Sequence, residues 1–234
     1  MKLSNEQIQE LYKFTRKRLV EHYDLQTELV DHLANGIEEQ WQSNSELSFK
    51  EALQNEFKKF GHFGFRSIIK KRKKVMAKRY RGHILEFYKE YFRLPKVLIV
   101  LGLSWLMYSA LQFVDPSYKL LGIGLIFLTV GCYFAWFANK NKKLYHNKIV
   151  SNQKRWMLEE KIYELGEGAQ MAIFPFHIFN SFSISDYLLT NSYLEFAICF
   201  FSLSYLILSY VMVFVIPQKA EKLLAETYPE YKMV

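Results

Sequence analysis

Glu28, Asp31 and His32 stand at positions i, i+3 and i+4 of one apolar-periodic stretch, so a helix there sets two carboxylates and an imidazole side by side. Donors of this kind suit a divalent metal bound through oxygen and nitrogen, with His22 or Asp24 near enough to complete the set. The same three residues read more simply as a solvated acidic face, with His32 at the seam between helices. That face is also where a partner protein would dock. Docking is the role expected of Glu28, Asp31 and His32, and no metal or other cofactor is expected.

A second group of polar side chains lies in or beside apolar sequence: Glu167, Gln170, His177 and Glu195. Ionisable groups are costly in lipid and face protein or water. Glu167 and Gln170 fall within one turn of each other and are placed to bond a neighbouring helix. His177 follows Pro175 by two residues, where it would reach a carbonyl that the proline leaves without its helical N–H. Glu195 is expected at headgroup depth. None of the four has an evident titratable partner at matched depth, so no acid–base pair is expected. Cys132 and Cys199 lie in apolar stretches too, where a thiol acts as a small apolar side chain. No Gly-rich phosphate loop, GxSxG or HExxH motif occurs, and catalysis is not expected.

The third group is basic. Lys70, Lys71, Arg72, Lys73, Lys74, Lys78, Arg79 and Arg81 follow Arg66 with no acid among them. Clustered cations suit the phosphates of nucleic acid and equally the anionic headgroups of a bilayer, where each contributes about 1 kcal/mol. Position decides between the two, because the run ends just before the first long apolar block. These eight side chains are therefore expected at lipid headgroups, and no direct nucleic-acid partner is expected.

The elements that must hold these groups follow from periodicity and charge. Ser4 with Gln7, and Ser48 with Glu51, have the spacing of capping boxes that open helices. Ile8, Leu11, Tyr12, Thr15 and Leu19 share one helical face. Leu25, Leu29, Leu33, Ile37 and Trp41 recur every fourth residue from about Asp24 until Ser43-Asn44-Ser45 breaks the pattern. Ala52, Leu53, Phe57 and Phe60 face inward on a third helix that stops at Gly61. Helical phasing then runs through the basic stretch to Pro95. No period-2 run suggests a strand.

Beyond Lys96 the composition changes. A bilayer core of ~30 Å takes about 20 apolar helical residues. Residues 97–114, 120–139 and 196–218 have the length and composition for this, and 168–185 is a fourth, interrupted candidate. Residues 61–96 carry 12 basic and 2 acidic side chains, and 139–161 carry 7 and 2, whereas 162–216 carry four acids and no Lys or Arg. Lys and Arg favour the cytoplasmic side. Four spans with both termini cytoplasmic put both basic segments on that side. The first residues lack the apolar core of a cleavable signal.

The stretch Glu28-Leu29-Val30-Asp31-His32-Leu33-Ala34-Asn35-Gly36-Ile37-Glu38-Glu39, then Ser48-Phe49-Lys50-Glu51-Ala52-Leu53 and Phe60-Gly61, resembles the HTH-associated α-helical signalling (HAAS) domain family. After Gly61, His62-Phe63-Gly64-Phe65 stands where a short polar turn would be expected. The resemblance covers roughly residues 5–70. It implies a small N-terminal helical bundle on a bacterial membrane protein, working with a PadR-like transcription regulator.

The expected fold is all-α. A cytosolic bundle (1–65) precedes a basic juxtamembrane helix (66–95), a four-span membrane domain (96–216) with a cytosolic basic loop (139–161), and a cytosolic tail (217–234). The expected location is the bacterial inner membrane. The expected function is that of a sensor or regulatory interaction protein, with anionic lipid and a cytosolic regulator as partners. The competing readings are a small transporter or channel subunit, using Glu167, Gln170, His177 and Asn180, and a membrane enzyme.

Overall fold

A computed structural model of the chain describes residues 2–152, 154–164 and 191–233. Among these residues the regular structure is all helical, with no strand. The chain divides into two compact units. One comprises Met1–Arg79 with Ile149–Lys161, and the other comprises Tyr80–Lys148 with Ile162–Val234.

In the first unit, α1 (Asn5–Lys17) and α3 (Phe49–Lys58) start where the capping boxes place them: Ser4 with Gln7, and Ser48 with Glu51, exchange both bonds. The Ser48 bonds favour the charged carboxylate of Glu51 and hold it below its ordinary pKa. α2 (Tyr23–Ser43) buries Leu25, Leu29, Leu33, Ile37 and Trp41, the predicted every-fourth-residue seam. Against it α1 buries Leu11 and Thr15, and α3 buries Ala52 and Leu53. The carboxylate of Glu56 is also buried here, bonded to Gln40 Nε2 at 2.7 Å and to Lys59. It occupies the space that a Cβ at position 36 would need, so any larger residue there would displace the Glu56 carboxylate.

Leu19 departs from expectation. It is 61% exposed because α1 has already ended. The Leu19 N–H donates to the Arg16 carbonyl and the Val20 N–H to that of Thr15, a Schellman closure with Leu19 in the left-handed region at φ 66°. Glycine adopts this conformation freely, whereas a leucine there carries strain of about 1–2 kcal/mol. The inward aromatic cluster forms instead from Phe14, Phe57, Phe60 and Phe65, whose rings meet edge to face at 4.9–5.3 Å. Phe65, the hub, begins α4 (Phe65–Glu90) after a turn that needs Gly64 at φ +49°, pressed on the Phe57 ring.

In the second unit, α5 (Lys96–Leu111), α6 (Pro116–Asn152) and α8 (Ser192–Gln218) carry the apolar sequence. Leu111, Ile123, Phe127 and Cys199 form a buried cluster, and Phe214 of α8 stacks on Phe137 of α6 at 4.2 Å. Two helices, Gly122–Val150 and Ser192–Gln218, are long and apolar enough to cross a membrane. α5 is shorter than the 97–114 expected. Its 16 residues rise about 24 Å, because Gln112–Val114 turn into a helix that Pro116 opens. α6 is longer than expected and runs helical through the stretch predicted as the start of a loop, to Asn152. No Gly or Pro interrupts residues 133–164, so nothing stops the helix at the membrane edge. The 168–185 stretch lies outside the described residues.

Pro217 has no N–H to offer the carbonyl four residues back, that of Val213. The helix accommodates it with a π-helical turn at Val211–Val215, and Asn141 Nδ2 of α6 donates to the Val213 carbonyl at 3.3 Å. A short amphipathic helix, α9 (Ala220–Thr227), follows and buries Ala220, Leu223 and Leu224.

Candidate functional site

Helix α2 begins without a side-chain cap, since His22 at the N-cap position makes no capping bond. Its first amide is satisfied from far along the chain: Tyr23 N–H donates to the Arg155 carbonyl at 2.7 Å. The reverse also holds. Helix α7 (Met157–Tyr163) starts with its Met157 N–H donating to Asp24 Oδ1 at 3.3 Å. Two helix N-termini thus cap each other across more than 130 residues of sequence.

Side chains close the joint. His22 Nε2 lies 2.5 Å from Glu160 Oε2, with both groups largely shielded from water. Arg155 Nη1 meets Glu21 Oε2 at 2.9 Å on the surface. Trp156 is buried edge to face against Tyr23 with centroids 5.3 Å apart, and the Lys154 ammonium sits over the Tyr23 ring, 4.6 Å from its centroid. Met157 and Leu158 are fully buried. Asp24 has a second role. Its Oδ2 lies 4.0 Å from Arg72 Nε, while Arg72 Nη2 meets Glu28 Oε2 at 3.4 Å. One buried carboxylate therefore faces both the docked segment 154–161 and the first half of α4.

The residues singled out from sequence distribute as follows. Glu28 is tied to Arg72, Asp31 is exposed, and His32 is exposed with its ring 5.4 Å from that of Phe60. Arg72 is half-buried against the acids, whereas Lys70, Lys71, Lys73, Lys74, Lys78, Arg79 and Arg81 are exposed. Glu167, Gln170 and His177 lie outside the described residues. Among the described residues no group of three His, Cys, Asp or Glu side chains is placed to hold a metal ion. Sequence reasoning missed Glu21, His22, Arg155 and Glu160. The only signal was compositional: Glu21-His22-Tyr23-Asp24 complements Lys154-Arg155-Trp156, but nothing local pairs them.

The second unit holds its own buried polar cluster. Glu195, in the first turn of α8, accepts from Lys119 Nζ at 2.6 Å and from Gln112 Nε2 at 2.9 Å, and both charged side chains are under one-tenth exposed. The sequence pattern did not join Glu195 to a partner at its depth. Lys119 is the lone basic residue of 97–138 and Glu195 the lone acid of α8, the two ends of one ion pair. Such a pair fixes the register of α8 against the turn between α5 and α6.

Two outcomes follow. Asp24→Ala removes the α7 cap and takes one of two nearby acids from Arg72, and is expected to lower the opening free energy of α2 by about 1–3 kcal/mol. Glu21→Ala breaks only an exposed pair, for an effect of about 0–1 kcal/mol. Hydrogen exchange of α2 amides in the full chain checks both, and equal effects would contradict the assignment. Lys119→Met strands a buried carboxylate and is expected to cost about 3–5 kcal/mol, most of it recovered by adding Glu195→Gln. Thermal unfolding of the reconstituted protein measures the difference. An additive double variant would show that the pair is not coupled.

The chain matches no protein-family model, no curated protein and no solved structure.

Proposed function

We propose that the chain is a membrane-embedded regulatory protein. Its spans set the state of an N-terminal helical bundle through the segment 154–161. The observation that carries this reading is the mutual capping of α2 and α7. The segment that caps α2 directly follows α6, one of two helices among the described residues that are long and apolar enough to cross a membrane. A displacement of α6 along its axis therefore pulls on Arg155 and Met157, and with them on Asp24 and Arg72. The role is regulatory and not catalytic.

In this reading the chain crosses the bacterial inner membrane four times with both termini cytoplasmic. Residues 168–185 supply one span and α5 another. The exposed basic residues of α4, Lys70 to Arg81 without Arg72, lie at anionic headgroups. The bundle belongs to the HAAS kind, and its partner is a cytosolic regulator of the PadR kind docking on the face that carries Asp31 and His32. The buried Lys119–Glu195 pair favours a second reading, a small transporter or channel subunit, because intramembrane charges mark transport paths in many membrane proteins. Both charges are already matched to each other, which suits a structural clasp better than a path.

The test uses the full chain in nanodiscs of neutral or anionic lipid. Anionic lipid is expected to change hydrogen exchange at residues 22–26 and 154–160 together. The change is expected to disappear at high salt, and in a variant with Lys70, Lys71, Lys73 and Lys74 all replaced by Gln. Exchange at those residues that ignores lipid charge, or that changes in one segment without the other, would sink the coupling.

A further inference from the structure

One side of the first unit plays no part in that joint. The end of α1 and the turn before α4 enclose an open groove of about 310 Å³. Phe57 and the buried Phe65 line it together with Lys17, Arg18, His62 and Arg66. No carboxylate lines it, and Lys17 and Arg66 have no ion-pair partner among the described residues. The Arg18 guanidinium is stacked over Phe14 at 3.5 Å and Phe57 at 4.3 Å, which holds its charge at the groove wall.

Two apolar side chains project beside these cations: Phe63 at 76% exposure and Leu19 at 61%. Leu19 occupies the left-handed position that closes α1, where glycine would sit without strain. The fold gains nothing from a leucine at that point, neither conformational ease nor burial. A strained, exposed apolar side chain at the lip of a basic groove points to contact with something outside the chain. The contact surface is concave, so it fits an inserted side chain better than a flat bilayer.

We propose that this groove binds an acidic segment of a partner protein. An aliphatic or aromatic anchor seats between the exposed Leu19 and Phe63, and carboxylates flanking it meet Lys17 and Arg66. The site rests on the regulatory reading and adds a second partner contact, opposite in charge preference to the face that carries Asp31 and His32. It shares no residue with the 154–161 joint, so its failure leaves the lipid-coupling experiment untouched.

The experiment selects short displayed random peptides on the full chain held in nanodiscs of zwitterionic lipid. The expected binders carry several Asp or Glu around one Leu, Ile or Phe. Their affinity is expected to fall about tenfold in the Lys17→Glu, Arg66→Glu double variant, and to be unchanged by Lys2→Glu with Lys50→Glu, two exposed lysines outside the groove. Leu19→Gly is the sharper variant. It relieves the backbone, so the protein folds at least as well, yet binding of the selected peptides is expected to drop about as far. Selected peptides without acids, or with affinity indifferent to the groove variants, would overturn the proposal. So would protection of amides 17–19 and 61–66 by anionic lipid alone, which would make the groove a lipid contact.

Discussion

The first unit depends on two helix N-termini that have no caps of their own. Every helix start leaves backbone N–H groups without intrahelical acceptors. α1 and α3 meet that need locally with serine. α2 and α7 meet it only by coming together: Arg155 supplies a carbonyl to Tyr23 and Asp24 supplies a carboxylate to Met157. Separating them would strand both ends and expose Trp156, Met157 and Leu158. A joint of this kind is stable while closed and costly to open by halves, which is the property a switch requires.

The second unit follows the same rule in less polar surroundings. Where water is scarce, each polar group must find a partner within the protein. Pro217 frees a carbonyl and Asn141 bonds it. Glu195 enters an apolar helix and Lys119 and Gln112 meet it. These contacts tie α8 to α6 and to the turn before it at two levels, with the aromatic stack of Phe137 and Phe214 between them. Large apolar side chains such as Leu98, Ile99, Trp105 and Leu106 of α5 remain exposed on the outside, a surface suited to lipid tails.

What could be read in the sequence was what local chemistry decides. Both capping boxes, the Leu25-to-Trp41 seam and the all-helical class needed only near neighbours, and they stand. Leu19 was misplaced because helical phasing does not announce where a helix ends when leucine takes the position that normally holds glycine. Glu56 gave no sign of burial, because its space is created by the missing side chain of Gly36 on another helix. The basic stretch after residue 139 looked like a loop on charge alone, yet without a breaker it stayed helical to Asn152. The candidate site itself was least legible. His22 and Asp24 were seen only as neighbours of Glu28 and Glu21 carried no signal, since their partners arrive more than 130 residues later and carry no motif.

The proposed coupling requires that the segment after α6 stay seated on the start of α2 when the chain is in a membrane. Disulfide trapping measures this directly, with Cys132 and Cys199 first replaced by Ser and cysteines then placed at Tyr23 and Arg155. Those backbones are joined by a 2.7 Å hydrogen bond, within the span of a disulfide. A control pairs Arg155→Cys with Asn35→Cys, which stands about 18 Å further along α2. Rapid trapping of the 23–155 pair in intact membranes, with little at 35–155, is the predicted result. No trapping at 23–155, or equal trapping of the two pairs, would contradict the central claim.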